Sequence, residues 1–151
     1  RHKAHVAGLL HDAGKDHDKE EIRTVLEKKC PDRFAEVQDF PSLWHGELGA
    51  VISHETFGVD DPEILDAIRY HTTGHPHFHK LGYILFLADY LEPGRLMRET
   101  EELTQKAEKD LEGTVLEVID RKVEHLKEKG REMHHWVYDF ERSVRDRMES
   151  E

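Results

Sequence analysis

The sequence predicts an all-α protein, and three observations carry that reading. No stretch of the 151 residues sustains apolar/polar alternation, β-branched residues are sparse, and apolar residues recur at helical intervals with Gly and Pro between the periodic segments. Ala4, Val6, Leu9, Leu10 and Ala13 predict a first helix that runs to about Ala13 and stops at Gly14. It reads as the middle of an amphipathic helix, with Arg1 rather than Met at its head and no N-cap, so further helical material is expected upstream. Asp18 followed by Glu21 starts a short second helix with Ile22, Val25 and Leu26 as its buried stripe and Pro31 beyond its end. Phe34, Val37 and Phe40 give another apolar turn or two before Pro41. Ser42 opens a helix carrying Leu43, Leu48, Val51 and Ile52, which ends near Phe57-Gly58. The clearest start is Asp61-Pro62-Glu63, with Asp at N-cap and Pro at N1, ahead of Ile64, Leu65 and Ile68. Leu81 to Leu91 predicts an almost wholly apolar helix closed by Pro93-Gly94. Glu99 to Lys129 reads as one long charged helix, with Leu103, Leu111, Val115, Ile119, Val123 and Leu126 as its stripe and Gly130 as its C-cap. Met133 to Met148 completes the series.

Length and composition bound what such a chain can do. At 36% hydrophobic and 36% charged, residues 1–151 are enough for one domain with one core. A formal charge of -11 repels nucleic-acid backbones and anionic lipid, so neither is an expected partner. Cys30 is the only cysteine, which rules out an intrachain disulfide and a Cys-rich zinc site and fits a reducing compartment, with the cytoplasm as the expected location. The longest apolar run, Leu81 to Leu91, is broken by Gly82 and Asp89 and is too short to span a bilayer. The long charged helix can line a homodimer or close its own core. The composition stands out in its 13 scattered histidines, which ask for a metal or phosphate explanation.

Four places carry candidate chemistry. His11-Asp12 ends the first helix and leads into Ala13-Gly14-Lys15. Asp89 lies within Tyr83-Ile84-Leu85-Phe86-Leu87-Ala88-Asp89-Tyr90, where a carboxylate needs a cation, either a metal or an arginine such as Arg69 or Arg95. His45 follows Leu43-Trp44, and His71 follows Ile64 by seven and Ile68 by three, which extends its helix's inward stripe. Histidine and carboxylate without thiolate suit iron, manganese, zinc or cobalt. Water on such an ion loses a proton near neutral pH, and Lys15 and Arg95 are the cations available to offset phosphoryl charge. Trp44 and Trp136 read as packing anchors and His75-Pro76-His77-Phe78-His79 as a solvated loop.

Taken in order, His11-Asp12-Ala13-Gly14-Lys15, Leu43-Trp44-His45-Gly46, Ala67-Ile68-Arg69-Tyr70-His71-Thr72-Thr73-Gly74 and Leu87-Ala88-Asp89-Tyr90-Leu91-Glu92-Pro93-Gly94-Arg95 resemble the HD-domain metallophosphohydrolases. The likeness is to the YqeK branch, the symmetrical diadenosine tetraphosphatases of bacteria, and it covers roughly residues 4–100. The resemblance implies an HD-domain helical bundle. It also implies a metal-dependent hydrolase that cuts diadenosine tetraphosphate (Ap4A) into two ADP by attack of a metal-activated water on phosphorus. Iron is the implied metal, in a mononuclear or dinuclear site, with manganese or cobalt as substitutes. Carried over by position, His11, Asp12 and Asp89 are metal ligands. His45, His71 and Thr72 lie across the site toward phosphate or a second ion, Asp12 and Lys15 face the phosphates, and Arg95 binds the polyphosphate. Asp12, Lys15, His45 and His71 are the residues assigned to catalysis.

The chain also departs from the family pattern. Members carry another metal-binding His on a helix preceding the His-Asp helix, and no such helix is present in this sequence; His2 and His5 share a helix with His11 and substitute poorly. Either that helix lies upstream of Arg1, or a histidine such as His134 or His135 takes its place. Met133-His134-His135-Trp136-Val137 fits the family's nucleotide-contacting loop only loosely. Two other activities stand beside this one: an HD phosphohydrolase on a nucleoside monophosphate or cyclic nucleotide, and a nucleotide-binding module without turnover.

Overall fold

The computed structural model describes residues 1–92 and 97–151, and Pro93-Gly94, proposed above as a helix stop, and Arg95 lie outside them. Nine α-helices and one 3-10 turn, with no strand, make up the regular structure of the described residues, as the sequence predicts. The chain divides into two compact units, residues 1–72 and 73–151. Among the described residues no helix is long and apolar enough to cross a membrane.

The first unit holds α1 (His2–Leu10), α2 (Lys19–Lys29), α3 (Pro31–Val37), the 3-10 turn Pro41–Leu43, α4 (Trp44–Glu55) and α5 (Pro62–Arg69). Helix α4 is its centre and packs on α2, α3 and α5, while α1 packs on α5. Ile22, Leu26, Phe34, Val37, Trp44, Leu48, Ala50, Ile64, Ala67 and Ile68 are buried, and Val25 is half-buried at the edge of its predicted stripe. Trp44 is an anchor: its indole N–H donates to the Val37 carbonyl at 2.9 Å, and its ring meets Phe34 edge-on at 5.3 Å.

Helix α1 ends three residues earlier than predicted, at Leu10, and the chain tightens into turns whose N–H groups reach three residues back, Ala13 to Leu10 and Lys15 to Asp12, each at 3.0 Å. Pro41–Leu43 forms a separate 3-10 turn, so α4 starts at Trp44 rather than Ser42. The Asp61 carboxylate accepts from Glu63 N at 2.9 Å, the predicted cap. Helix α5 stops at Arg69, so His71 sits in the following turn rather than on the helix, yet it is only 1% exposed.

The second unit holds α6 (Lys80–Tyr90), α7 (Met97–Lys109), α8 (Leu111–Glu128) and α9 (His135–Ser150), with α8 packed on the other three. The predicted single helix from Glu99 to Lys129 is two helices broken at Asp110, whose carboxylate accepts from Gly113 N at 2.9 Å and caps α8. Gly130, at φ +63°, ends α8 with the paired bonds of a Schellman motif, Arg131 N to Leu126 O and Gly130 N to Lys127 O. Phe140 is fully buried among Phe78, Tyr83 and Phe86 at ring separations of 5.5, 5.7 and 5.3 Å. Phe78 thus pins the His75–His79 segment predicted as a solvated loop, in which His77 and His79 are exposed.

Candidate metal centre

Three segments of the first unit meet around one space: the turns after α1, the start of α4 and the turn after α5. Glycine permits the approach. A Cβ on Gly14 would lie 2.6 Å from the His45 carbonyl oxygen, and one on Gly46 would lie 2.5 Å from the Arg69 carbonyl oxygen. Backbone cannot yield as a flexible side chain does, so any larger residue there pushes the segments apart.

His11 and His71 are buried where these segments meet. His11 Nδ1 lies 2.7 Å from the Gly8 carbonyl and His71 Nδ1 2.6 Å from the Ile68 carbonyl. A carbonyl only accepts, so each Nδ1 carries the hydrogen and donates it. That leaves the Nε2 lone pairs directed at the shared space, the arrangement that fixes the tautomer of metal-ligating histidines. Asp12 stands between them, with Oδ2 3.4 Å from His11 Nε2 and Oδ1 3.7 Å from His71 Nε2. One ligand atom from each of the three lies within 4.8 Å of the others, so the group can hold a metal ion. Two imidazole nitrogens and a carboxylate, with no thiolate, suit a first-row transition metal.

His45, half-buried at the start of α4, places Nε2 3.1 Å from His71 Nε2. Because His71 carries its hydrogen on Nδ1, the neutral pair requires His45 Nε2–H to donate and His71 Nε2 to accept. The His71 lone pair therefore has two uses, a hydrogen bond from His45 or a bond to metal, and serves one at a time.

The other sequence-derived residues fall as follows. Lys15 is exposed, with Nζ 3.3 Å from Asp12 Oδ2, and Thr72 is half-buried next in chain to His71. Asp89 is half-buried on α6 of the second unit, on a helix that buries Leu85, Phe86, Leu87 and Tyr90. Arg95 lies outside the described residues. His134 and His135 are engaged at the start of α9: His134 Nδ1 accepts from Trp136 N at 3.2 Å, and His135 Nδ1 lies 2.9 Å from Asp139 Oδ2. His135 holds the Asp139 carboxyl below its usual range.

Sequence reasoning missed Glu47 and its partner. Glu47 is 2% exposed, with Oε2 3.2 Å from Arg69 Nε, and Arg69 also donates to Asp66 Oδ1 at 2.6 Å. Arg69, a proposed partner for Asp89, is thus committed within the first unit. The signal was an acidic residue two positions after His45, in a helix otherwise small or apolar through Ile52. Burial pushes the Glu47 carboxyl up to about 6 from 4.5, against the opposing pull of Arg69 and Arg33. The folded state therefore binds a proton that the unfolded state has lost between these values. Stability from this group is full below the unfolded value and is lost as pH rises through about 6. Urea unfolding of the wild type and Glu47→Gln is expected to shift by about 2 kcal/mol in favour of Gln between roughly pH 4 and pH 7. A pH-independent difference would mean that Glu47 titrates normally.

The HD domain family model matches residues 1–94. The chain is 36% identical over 128 residues to the symmetrical bis(5'-nucleosyl)-tetraphosphatase of Bacillus subtilis, covering 84% of this chain and 68% of that protein. It is 36% identical over 131 residues to the enzyme of the same name from Halalkalibacterium halodurans, covering 84% and 67%. Among solved structures it is similar to an HD superfamily hydrolase from Clostridium acetobutylicum, described as involved in NAD metabolism, at a TM-score of 0.88 and 32% identity over 97% of this chain and 77% of that one.

Proposed function

Because the chain belongs to the HD domain family and to its symmetrical bis(5'-nucleosyl)-tetraphosphatase branch, we propose that it is a metal-dependent hydrolase cleaving Ap4A into two ADP in the cytoplasm. The observation that supports this most is the convergence of His11, Asp12 and His71, two of them with Nδ1 committed to backbone carbonyls. In this reading His11, Asp12 and Asp89 hold iron, with His71 as a further ligand or, with His45, part of a second-ion site. Manganese or cobalt would fit the same donors. When bound, the ion supplies Lewis-acid polarisation of a phosphoryl oxygen and makes water acidic enough to react near neutral pH.

The remaining chemistry falls to the chain's own side chains. Lys15, exposed on a flexible stem, and Arg95 neutralise the tetraphosphate, and Thr72 offers a hydroxyl donor beside His71. Water adds to one of the two central phosphorus atoms, and the bond from that phosphorus to the central bridging oxygen breaks. The attacking water gives up one proton and the departing ADP takes up one, an exchange for which His45 or His71 is the candidate carrier. The arrangement of His45 and His71 within one hydrogen bond is the reason for assigning them this role.

The test is product analysis with metal-reconstituted protein. ADP is expected as the sole nucleotide product from Ap4A. Equal ATP and AMP would mean cleavage at an outer bridging oxygen rather than the central one. Turnover of dAMP or a cyclic dinucleotide in place of Ap4A would move the chain to another HD activity, and tight Ap4A binding without turnover under any divalent metal would make it a binding module.

A further inference from the structure

Glu47 and Arg69 have no part in the chemistry above, yet they connect the two segments that carry His45 and His71. Three successive residues of α4 meet the end of α5. His45 faces His71 at 3.1 Å, Gly46 lies against the Arg69 carbonyl, and Glu47 holds the Arg69 side chain at 3.2 Å. Residues two apart on a helix point about 200° apart, so His45 and Glu47 lie on nearly opposite sides of α4. The end of α5 therefore straddles α4, with Arg69 gripping one side, His71 returning on the other, and the Gly46 contact between them. A roll of α4 that loosens one side tightens the other.

We propose that the buried Glu47–Arg69 pair is a positioning element that sets the spacing of His45 and His71. A buried ion pair is a poor source of stability, since apolar residues of similar volume are often as good or better. What it adds is direction. The guanidinium donates a hydrogen bond to Asp66 on the α5 side, and the Glu47 carboxylate lies 3.2 Å from its Nε as an ion pair without a hydrogen bond at that nitrogen, a charge attraction between α4 and the end of α5 that an aliphatic contact would not reproduce. The catalytic consequence rests on the hydrolase reading above; the geometric one stands without it.

The experiment uses the double variant Glu47→Leu/Arg69→Met, which leaves neither charge of the pair buried alone. Imidazole nitrogen–proton NMR of the metal-free protein reads the pair directly. The wild type is expected to show a protected His45 Nε2–H and a His71 Nδ1–H. The folded double variant is expected to keep the His71 Nδ1–H, which is local to its own turn, and to lose the His45 signal, with helicity and Tm near wild type. Its kcat on Ap4A is expected to fall roughly tenfold to hundredfold with KM little changed, as for a misplacement of about 1 Å. Glu47→Gln, which keeps an oxygen facing Arg69, should retain both signals and most of kcat. Unchanged imidazole signals in the folded double variant would overturn the proposal. If the double variant does not fold, Arg69→Lys, which cannot span Glu47 and Asp66 together, is read by the same signals with the same expected loss. A wild type that leaves Ap4A intact would fail the hydrolase reading, while the metal-free spectra would still decide the positioning role.

Discussion

Asp12→Ala is expected to strip the protein of bound metal and to lower kcat/KM on Ap4A by at least about 1000-fold. Its two oxygens face His11 and His71 at 3.4 and 3.7 Å, and it supplies the carboxylate of the ligand group in the first unit. Without it the donors that the first unit contributes are the two imidazoles, with no negative charge among them to offset a divalent ion. Losing a supporting residue around a metal typically costs about 10- to 100-fold in affinity, and losing a ligand costs more. The fold should survive, since the Asp12 side chain is 28% exposed and its ion-pair contacts are with His11, His71 and Lys15. Elemental analysis against protein concentration, alongside circular dichroism, checks both halves. A folded Asp12→Ala protein with full metal and full activity would remove Asp12 from the centre.

Phe140→Ala is expected to cost about 3–5 kcal/mol, a large part of a typical stability of about 5–15 kcal/mol. The ring is fully buried and touches Phe78, Tyr83 and Phe86, so its loss leaves a hole lined by three rigid rings that cannot collapse into it. Arg147 makes collapse harder still: it binds the Tyr83 hydroxyl at 2.7 Å, the Pro76 carbonyl at 2.9 Å and the Phe78 carbonyl, fixing the same rings from behind. The two tryptophans give separate reporters, Trp44 in the first unit and Trp136 in the second. Urea unfolding followed in Trp44→Phe and Trp136→Phe backgrounds should place the loss in the Trp136 signal. A cost under about 1 kcal/mol would mean that the rings repack.

The helices were legible wherever the signal was local. Asp61-Pro62-Glu63 announces α5 because cap, proline and acidic first turn are adjacent, and Gly130 announces the end of α8 because a left-handed residue was required there. Asp110 was not legible, because Leu103, Leu111 and Val115 keep helical spacing across it; the cap shows only in its bond to Gly113. The end of α1 was misread for a tertiary reason: the chain turns at Leu10 so that Gly14 can lie against α4. At the centre, residue types and order pointed to His11, Asp12, His45 and His71, and the structure brings these four together. The tautomers of His11 and His71 were hidden, since they depend on carbonyls of Gly8 and Ile68 whose direction is set only by the fold. Glu47 was hidden too, because an acidic residue in a helix defaults to solvent until a partner such as Arg69 is seen.

The close approaches at Gly14 and Gly46 bear on engineering. Replacing glycine by alanine is a common route to a hardier protein, because it stiffens the unfolded chain and favours helix, and Gly46 lies inside α4. At these two positions the added methyl would wedge apart the backbones that carry the histidines. Robustness and activity are therefore set against each other at the same atoms, and a thermostabilised form of this protein should leave both glycines as they are.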